Sequence, residues 1–138
     1  MKIRGIKSRV ENCHFTNMDW WANPGGGAAE LGYIARYVTF ENSKVGGLGG
    51  SHLMEYCRIE DFKDPCDCSG INRGAHGAPR SMTRYNWIIN GPGANGIRID
   101  GGANGAGNRR GDIHHIITIG NNRGCLLYTS PSPRDATL

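Results

Sequence analysis

The stretch between residues 85 and 122 most strongly constrains what this chain can fold into. It contains three Ile-rich runs of roughly four to eight residues, each bounded by Gly, Asn or Pro. Such runs between turn-forming residues are typical of β-strands. No segment between the runs is suited to form the crossover helix that parallel strands normally need. The strands are therefore antiparallel, or the chain winds as a coil.

Repetition along the chain distinguishes these two folds. Apolar runs that end in Asn or Asp close at Asn17, Asn42, Asp61, Asn90 and Asn121, which gives spacings of 25, 19, 29 and 31 residues. A loose period of about 20–30 residues is typical of a solenoid, whose windings stack to bury a shared core. Asn and Asp tolerate left-handed backbone, and stacked Asn side chains form ladders. We therefore predict an all-β solenoid of about five windings.

Three segments carry a family resemblance: Glu-Asn-Cys-His-Phe-Thr-Asn at 11–17, Gly-Ile-Arg-Ile-Asp-Gly-Gly at 96–102 and Ile-His-His at 113–115. They resemble right-handed parallel β-helix proteins of the pectate-lyase-like superfamily. The resemblance implies a partial parallel β-helix domain over residues 1–124. It also implies a secreted or cell-surface protein acting on an acidic or neutral polysaccharide as a lyase, hydrolase or epimerase. Phage tail-spikes and adhesins are relatives, so a non-catalytic glycan-binding or structural module is the alternative.

Residues 125–138 depart from the repeat. Their first eleven residues, Cys-Leu-Leu-Tyr-Thr-Ser-Pro-Ser-Pro-Arg-Asp, resemble a translated sequencing adapter, and the last three fit an index that follows it. An ordinary polar tail is the alternative. On the adapter interpretation we expect an irregular, non-native tail from residue 125. We then expect residues 1–124 to be a fragment whose partner is the remainder of a truncated β-helix.

Composition narrows the classes of function. Gly accounts for 22 of 138 residues without a collagen triplet, and 38% of residues are hydrophobic. These values exclude collagen and a disordered chain, and they favour Gly-rich turns between strands. The formal net charge of +4 is compatible with an acidic polysaccharide. No basic module predicts nucleic-acid binding, and no apolar run of about 18 residues predicts a membrane span.

The strand and loop pattern suggests where a polysaccharide would bind. Residues 31–42 alternate with period two, which predicts one strand. Irregular loops that project from a repeated scaffold commonly carry binding groups. Trp20 and Trp21 are suited to stack on a sugar ring, although a cap on the apolar wall of a neighbouring winding explains them more simply. The predicted substrate-binding residues are Trp20, Trp21, His76, Arg84 and Arg109.

The polar residues of the last windings are the catalytic candidates. Alternation directs Arg98 and Asp100 outward and the neighbouring Ile residues inward, and His114 and His115 lie one winding further. A lyase needs a cation to neutralise the uronate carboxylate and a base to take a proton. The resemblance implies Ca²⁺ or Arg and Lys for the first role, and Lys, Arg or His for the second. An Arg–Asp surface pair and turn histidines explain the same residues more simply.

Neither the cysteines nor the acidic residues predict a metal site in this chain. Cys13 and Cys57 occupy strand positions that line the interior, where free Cys is common. The spacing of Cys66 and Cys68 differs from that of structural zinc sites, and their disulfide state stays open. No clustered acidic set suits Ca²⁺. We predict no cofactor here and leave Ca²⁺ as an option for the parent protein.

Overall fold

A computed structural model describes residues 2–3, 7–18, 29–43, 47–49, 51–63, 69–73, 81–100 and 112–128. In these ranges all regular structure is β-strand, so no described helix could span a membrane. The described strands are β1 (Lys2–Ile3), β2 (Arg9–Glu11), β3 (His14–Thr16), β4 (Ala29–Leu31), β5 (Ile34–Arg36), β6 (Thr39–Ser43), β7 (Leu48–Gly49), β8 (Leu53–Glu55), β9 (Arg58–Phe62), β10 (Ser69–Arg73), β11 (Met82–Ile89), β12 (Asn95–Asp100), β13 (Asp112–Ile119) and β14 (Arg123–Tyr128).

The strands form two parallel sheets. Sheet A contains one strand from each winding, in the order β1-β4-β7-β10-β12-β14. In sheet B, β2, β5 and β8 form a first column and β3, β6 and β9 form a second column. The longer β11 and β13 run through both columns. Sheet B therefore has five rungs, and the predicted all-β parallel solenoid of about five windings is confirmed.

A left-handed residue marks the second bend, which lies at the end of the second column in each winding. These residues are Asn17, Asn42, Asp61, Asn90 and Gly120, with φ from 50° to 69°. The first four are the predicted closing positions, whereas the fifth is a glycine just before the predicted Asn121. The Asn42 side chain donates to that of Asn17, and the Asn90 side chain donates to that of Asp61. The predicted ladder is thus confirmed for these two pairs.

Another set of left-handed residues marks the first bend, between the two columns of sheet B. They are Asn12, Tyr37, Tyr56, Tyr85 and His115, with φ from 51° to 55°. The prediction of one strand over residues 31–42 is wrong because Gly32 and Tyr37 have φ of 34° and 51° and divide it. A positive φ interrupts the alternation of an extended chain. Ala35 and Val38, three positions apart, are consequently both buried.

The interior is a stack of apolar side chains from equivalent positions. Phe40, Ile59 and Ile88 share one register position in consecutive windings and are fully buried. Each contributes about 1.5–3 kcal/mol by leaving water. Asn86 is also buried, and its side chain accepts a hydrogen bond from the Cys57 amide (2.9 Å) and donates to a carbonyl of the preceding winding (3.1 Å). These bonds offset the cost of burying its amide group.

Cys13 and Cys57 line the interior, as predicted. Cys13 is half-buried, Cys57 is buried, and both are free thiols. Burial raises the pKa of the Cys57 thiol to about 11, because desolvation disfavours the thiolate. Cys66 and Cys68 lie outside the described residues.

The expected start of the tail at residue 125 lies inside β14. The backbone of residues 125–128 pairs with residues 97–100 of β12 and extends sheet A. Backbone hydrogen bonds along a strand edge do not depend on side-chain identity, so a strand can continue into a sequence that lacks the repeat. The adapter origin of these residues stays a prediction, and residues 129–138 lie outside the described ranges.

Candidate functional site

An open groove follows the second bend along the solenoid axis. Its volume is 440 Å³. The lining residues come from four consecutive windings: Thr16 from the first, Glu41 and Asn42 from the second, Asp61 and Lys63 from the third, and Asn90 and Pro92 from the fourth. Neighbouring strands lie about 4.8 Å apart, so the first and fourth strands are about 14 Å apart. The groove is therefore an elongated polar track.

The parallel register brings these residues together. Thr16 pairs with Glu41, and Glu41 pairs with Glu60, although 25 and 19 residues separate them in the sequence. Side chains at one register position point to the same face of a sheet. Asp61 follows Glu60 directly, and the exposed Lys63 lies two positions further. The groove therefore combines carboxylates, an ammonium group, a hydroxyl and amides.

Basic side chains contact two acidic side chains of this face. Glu41 Oε1 lies 3.0 Å from His14 Nε2 in the preceding winding. Glu60, beside the groove, accepts a hydrogen bond of 2.7 Å from Arg58 Nε. This hydrogen bond raises the pKa of Arg58, so its guanidinium stays charged. The face therefore has fixed positive and negative groups at short intervals.

The same outward face becomes apolar in the last two windings. Trp87 pairs with Ile117, and Ile89 pairs with Ile119. The exposed fractions of Trp87, Ile117 and Ile119 are 47%, 43% and 56%. The residue in register with Trp87 in the preceding winding is Arg58. The change from polar to apolar thus falls between the third and fourth windings, near one end of the groove.

A charged row crosses the first column of sheet B. Its members, Glu11, Arg36, Glu55, Arg84 and His114, share one register position in five windings. The Glu55 side chain is 4% exposed, and its two oxygens lie 2.6 Å from Arg36 Nε and 2.6 Å from Arg84 Nε. The Arg84 contact is an aligned hydrogen bond, whereas the Arg36 contact is an ion pair. The hydrogen bond to Glu55 raises the pKa of Arg84.

An aromatic row follows the first bend. The rings of Tyr37 and Tyr56 stack with centroids 5.2 Å apart, and those of Tyr56 and Tyr85 do the same. The His115 ring lies 4.8 Å beyond Tyr85. Positive φ is unfavourable for bulky residues, and the stacking offsets part of this cost. Because consecutive rings cover one another's faces, a sugar ring cannot stack between them.

The predicted site residues divide between the two sheets. His114 and His115 lie together in β13, and Arg84 is in register with His114. Arg98 and Asp100 belong to β12 in sheet A, so the structure does not unite the predicted catalytic residues in one sheet. The reason is that the chain passes from sheet A to sheet B between residues 100 and 112. The predicted residues Trp20, Trp21, His76 and Arg109 lie outside the described ranges.

Sequence reasoning missed the groove and the aromatic row. A signal for the row exists, because each left-handed residue of the first bend stands five positions before one of the second bend. For the groove, no local pattern links Glu41 with Asp61 or Lys63. Their proximity depends on the register, which the unequal lengths of the windings conceal.

Comparisons with known proteins do not assign the chain to a family. No family model, no curated protein and no solved structure matches the chain. Within the described ranges no three His, Cys, Asp or Glu side chains are grouped as metal ligands. Ca²⁺ takes about six to eight oxygen ligands. The described residues therefore do not fit the Ca²⁺ that the family resemblance implies.

Proposed function

We propose that this chain is part of a carbohydrate-binding parallel β-helix protein, and that its groove along the second bend binds an extended polysaccharide. The observation that carries this proposal is that four consecutive windings line the groove. A compact ligand needs contacts from one or two windings, whereas an extended polymer can use all four. The location outside the cell and the pectate-lyase-like origin belong to the same proposal.

The chemistry of the groove suits sugar hydroxyl groups. Its hydroxyl and amide side chains donate and accept hydrogen bonds, its carboxylates accept them, and Lys63 donates. Trp87 lies on the apolar continuation of the same face and is partly exposed. Its ring offers a flat surface for the apolar face of a sugar. Polar groups would thus orient the polymer, and Trp87 would add apolar contact at one end.

Binding without catalysis is the function that this arrangement supports best. Arg98 and Asp100 lie in sheet A, whereas His114 and His115 lie in sheet B. Arg84, a predicted substrate-binding residue, already donates to the buried carboxylate of Glu55. These positions argue against a lyase centre formed by the candidate residues.

Affinity electrophoresis through gels that contain pectate, alginate, a glycosaminoglycan or a neutral glucan tests the proposal. We expect retardation by at least one polymer and a clear loss of retardation in Lys63→Gln. The matched control is Arg9→Gln, which removes the same charge from an exposed residue of the first column. Migration unchanged by every polymer, or equal effects of the two substitutions, would contradict groove binding.

Glycoside hydrolysis is a second candidate, favoured by the two carboxylates of Glu41 and Asp61 in one groove. Most glycosidases use such a pair as acid and base or as acid and nucleophile. Incubation of the full-length protein with any polymer that it binds should then release reducing ends. Glu41→Gln should abolish release while retaining binding. Bound polymer that stays intact after long incubation would exclude this candidate, and unsaturated products would instead indicate a lyase.

A further inference from the structure

Two histidines converge at the end of the charged and aromatic rows. His114 Nδ1 and His115 Nδ1 lie 2.6 Å apart. At this distance one ring donates its Nδ1 hydrogen to the lone pair of the other. Each of these nitrogen atoms can bind a transition metal when it carries no hydrogen, and the fold already holds them close together.

The first bend explains why adjacent side chains meet. In a regular strand, consecutive side chains point to opposite faces. His115 has φ of 52°, so β13 turns at this residue and brings the His115 ring beside that of His114. The preceding windings have other residue pairs at these two register positions, namely Glu11-Asn12, Arg36-Tyr37, Glu55-Tyr56 and Arg84-Tyr85. In the described part of the chain, only the fifth winding combines two imidazoles there.

An aromatic ring, a guanidinium group and solvent surround the two histidines. Tyr85 lies against both rings, with centroids 5.8 Å from His114 and 4.8 Å from His115. Among the described residues, Arg84 is in register with His114, and Glu55 at 2.6 Å partly neutralises its charge. His114 is half-buried and His115 is exposed, so solvent reaches the pair. Glu55 therefore reduces the repulsion between Arg84 and a bound metal ion, and solvent at His115 screens the remainder.

We propose that His114 and His115 form a bidentate site for a divalent transition metal such as Cu²⁺, Ni²⁺ or Zn²⁺. Imidazole nitrogen suits these ions, and bonds of about 2.0–2.1 Å require the nitrogens to be roughly 2.9–3.4 Å apart. The pair must therefore separate by less than about 1 Å. The ring that donates its Nδ1 hydrogen regains a hydrogen at Nε2, so both rings stay neutral and bind through Nδ1. Water, or a group from a bound ligand, completes the coordination.

Calorimetric titration of the full chain with Cu²⁺, Ni²⁺ and Zn²⁺ tests the site. We expect one metal ion per chain and quenching of tyrosine fluorescence by Cu²⁺, because Tyr85 contacts both ligands. His115→Asn and His114→Gln should each weaken binding by at least about tenfold, a loss seen even for groups that only orient metal ligands. Asn suits the bend, since Asn12 occupies the equivalent position with φ of 54°.

His14→Gln is the control, because His14 is an exposed histidine on a different column. Far-UV circular dichroism should show that each variant keeps its β structure. Metal affinity that survives in the His114→Gln/His115→Asn double variant, or that falls equally in His14→Gln, would overturn the assignment. The same holds if the folded wild-type chain binds none of the three metals.

Discussion

The buried carboxylate of Glu55 should dominate the stability of the charged row. It is 4% exposed and lies 2.6 Å from each of two guanidinium groups. The hydrogen bond from Arg84 to this charged group contributes about 1.5–3 kcal/mol. The ion pair with Arg36 adds to it, and the partial exposure of both arginines reduces the sum. We expect Glu55→Gln to lower the free energy of unfolding by about 2–4 kcal/mol. Part of this loss is repulsion between Arg36 and Arg84, which face each other once the charge is removed.

Glu11→Gln is the matched control in the same row. Glu11 is 33% exposed and 3.9 Å from Arg36, and an ion pair of this kind contributes about 0–1 kcal/mol. Urea unfolding followed by circular dichroism measures both variants. With a slope of about 2 kcal/mol per M, the Glu55→Gln midpoint should fall by about 1–2 M and that of Glu11→Gln by less than about 0.5 M. Equal shifts would refute the argument that burial makes the difference.

Three further predictions concern the interior, the first bend and the apolar face. Burial raises the pKa of the Cys57 thiol from its ordinary value of 9.0 to about 11. The contribution of this thiol to the free energy of unfolding is therefore intact below pH 9 and is lost as the pH rises towards 11, by about 3 kcal/mol in total. Cys57→Ala should show less of this alkaline loss of unfolding free energy. Tyr56→Ala should lower the free energy of unfolding in urea by about 1–3 kcal/mol, because two ring contacts are lost. Tyr56→Asn should lower it less, because Asn tolerates positive φ. The reverse order would contradict the argument that positive φ strains the tyrosine. Ile117→Lys should reduce self-association in gel filtration because it interrupts an exposed apolar surface, whereas Thr39→Lys, in the same outward row, should not.

The solenoid could be predicted from the sequence because its cause is repeated in every winding. Asn17, Asn42 and Asn90 follow apolar runs and have small polar side chains that tolerate left-handed backbone. Both the bend and the strand before it are therefore local properties. The first bend was missed because Tyr and His are poor residues for positive φ. Only their stacking across windings stabilises them there, and a single winding carries no trace of that contact.

The candidate site could not be predicted by the same reasoning. The sequence indicates the chemical type of the four catalytic candidates but not the sheet to which each belongs. The groove depends instead on which residues share a register position. The left-handed residues of the second bend are 19 to 30 residues apart, and these unequal spacings conceal that register. Glu41 and Asp61 therefore become neighbours only when the strands pair.

The charged and aromatic rows of sheet B differ from the groove in how much of their surface stays open to a ligand. Along the charged row, opposite charges alternate and Glu55 lies between two arginines. Along the aromatic row, each tyrosine face meets another ring. A ligand would gain little from either row, since it would have to displace contacts that stabilise the fold. The groove also has internal hydrogen bonds, from Asn42 to Asn17 and from Asn90 to Asp61. Its polar groups nevertheless line an open volume of 440 Å³, where their remaining lone pairs and hydrogens can bind a sugar hydroxyl without breaking those bonds.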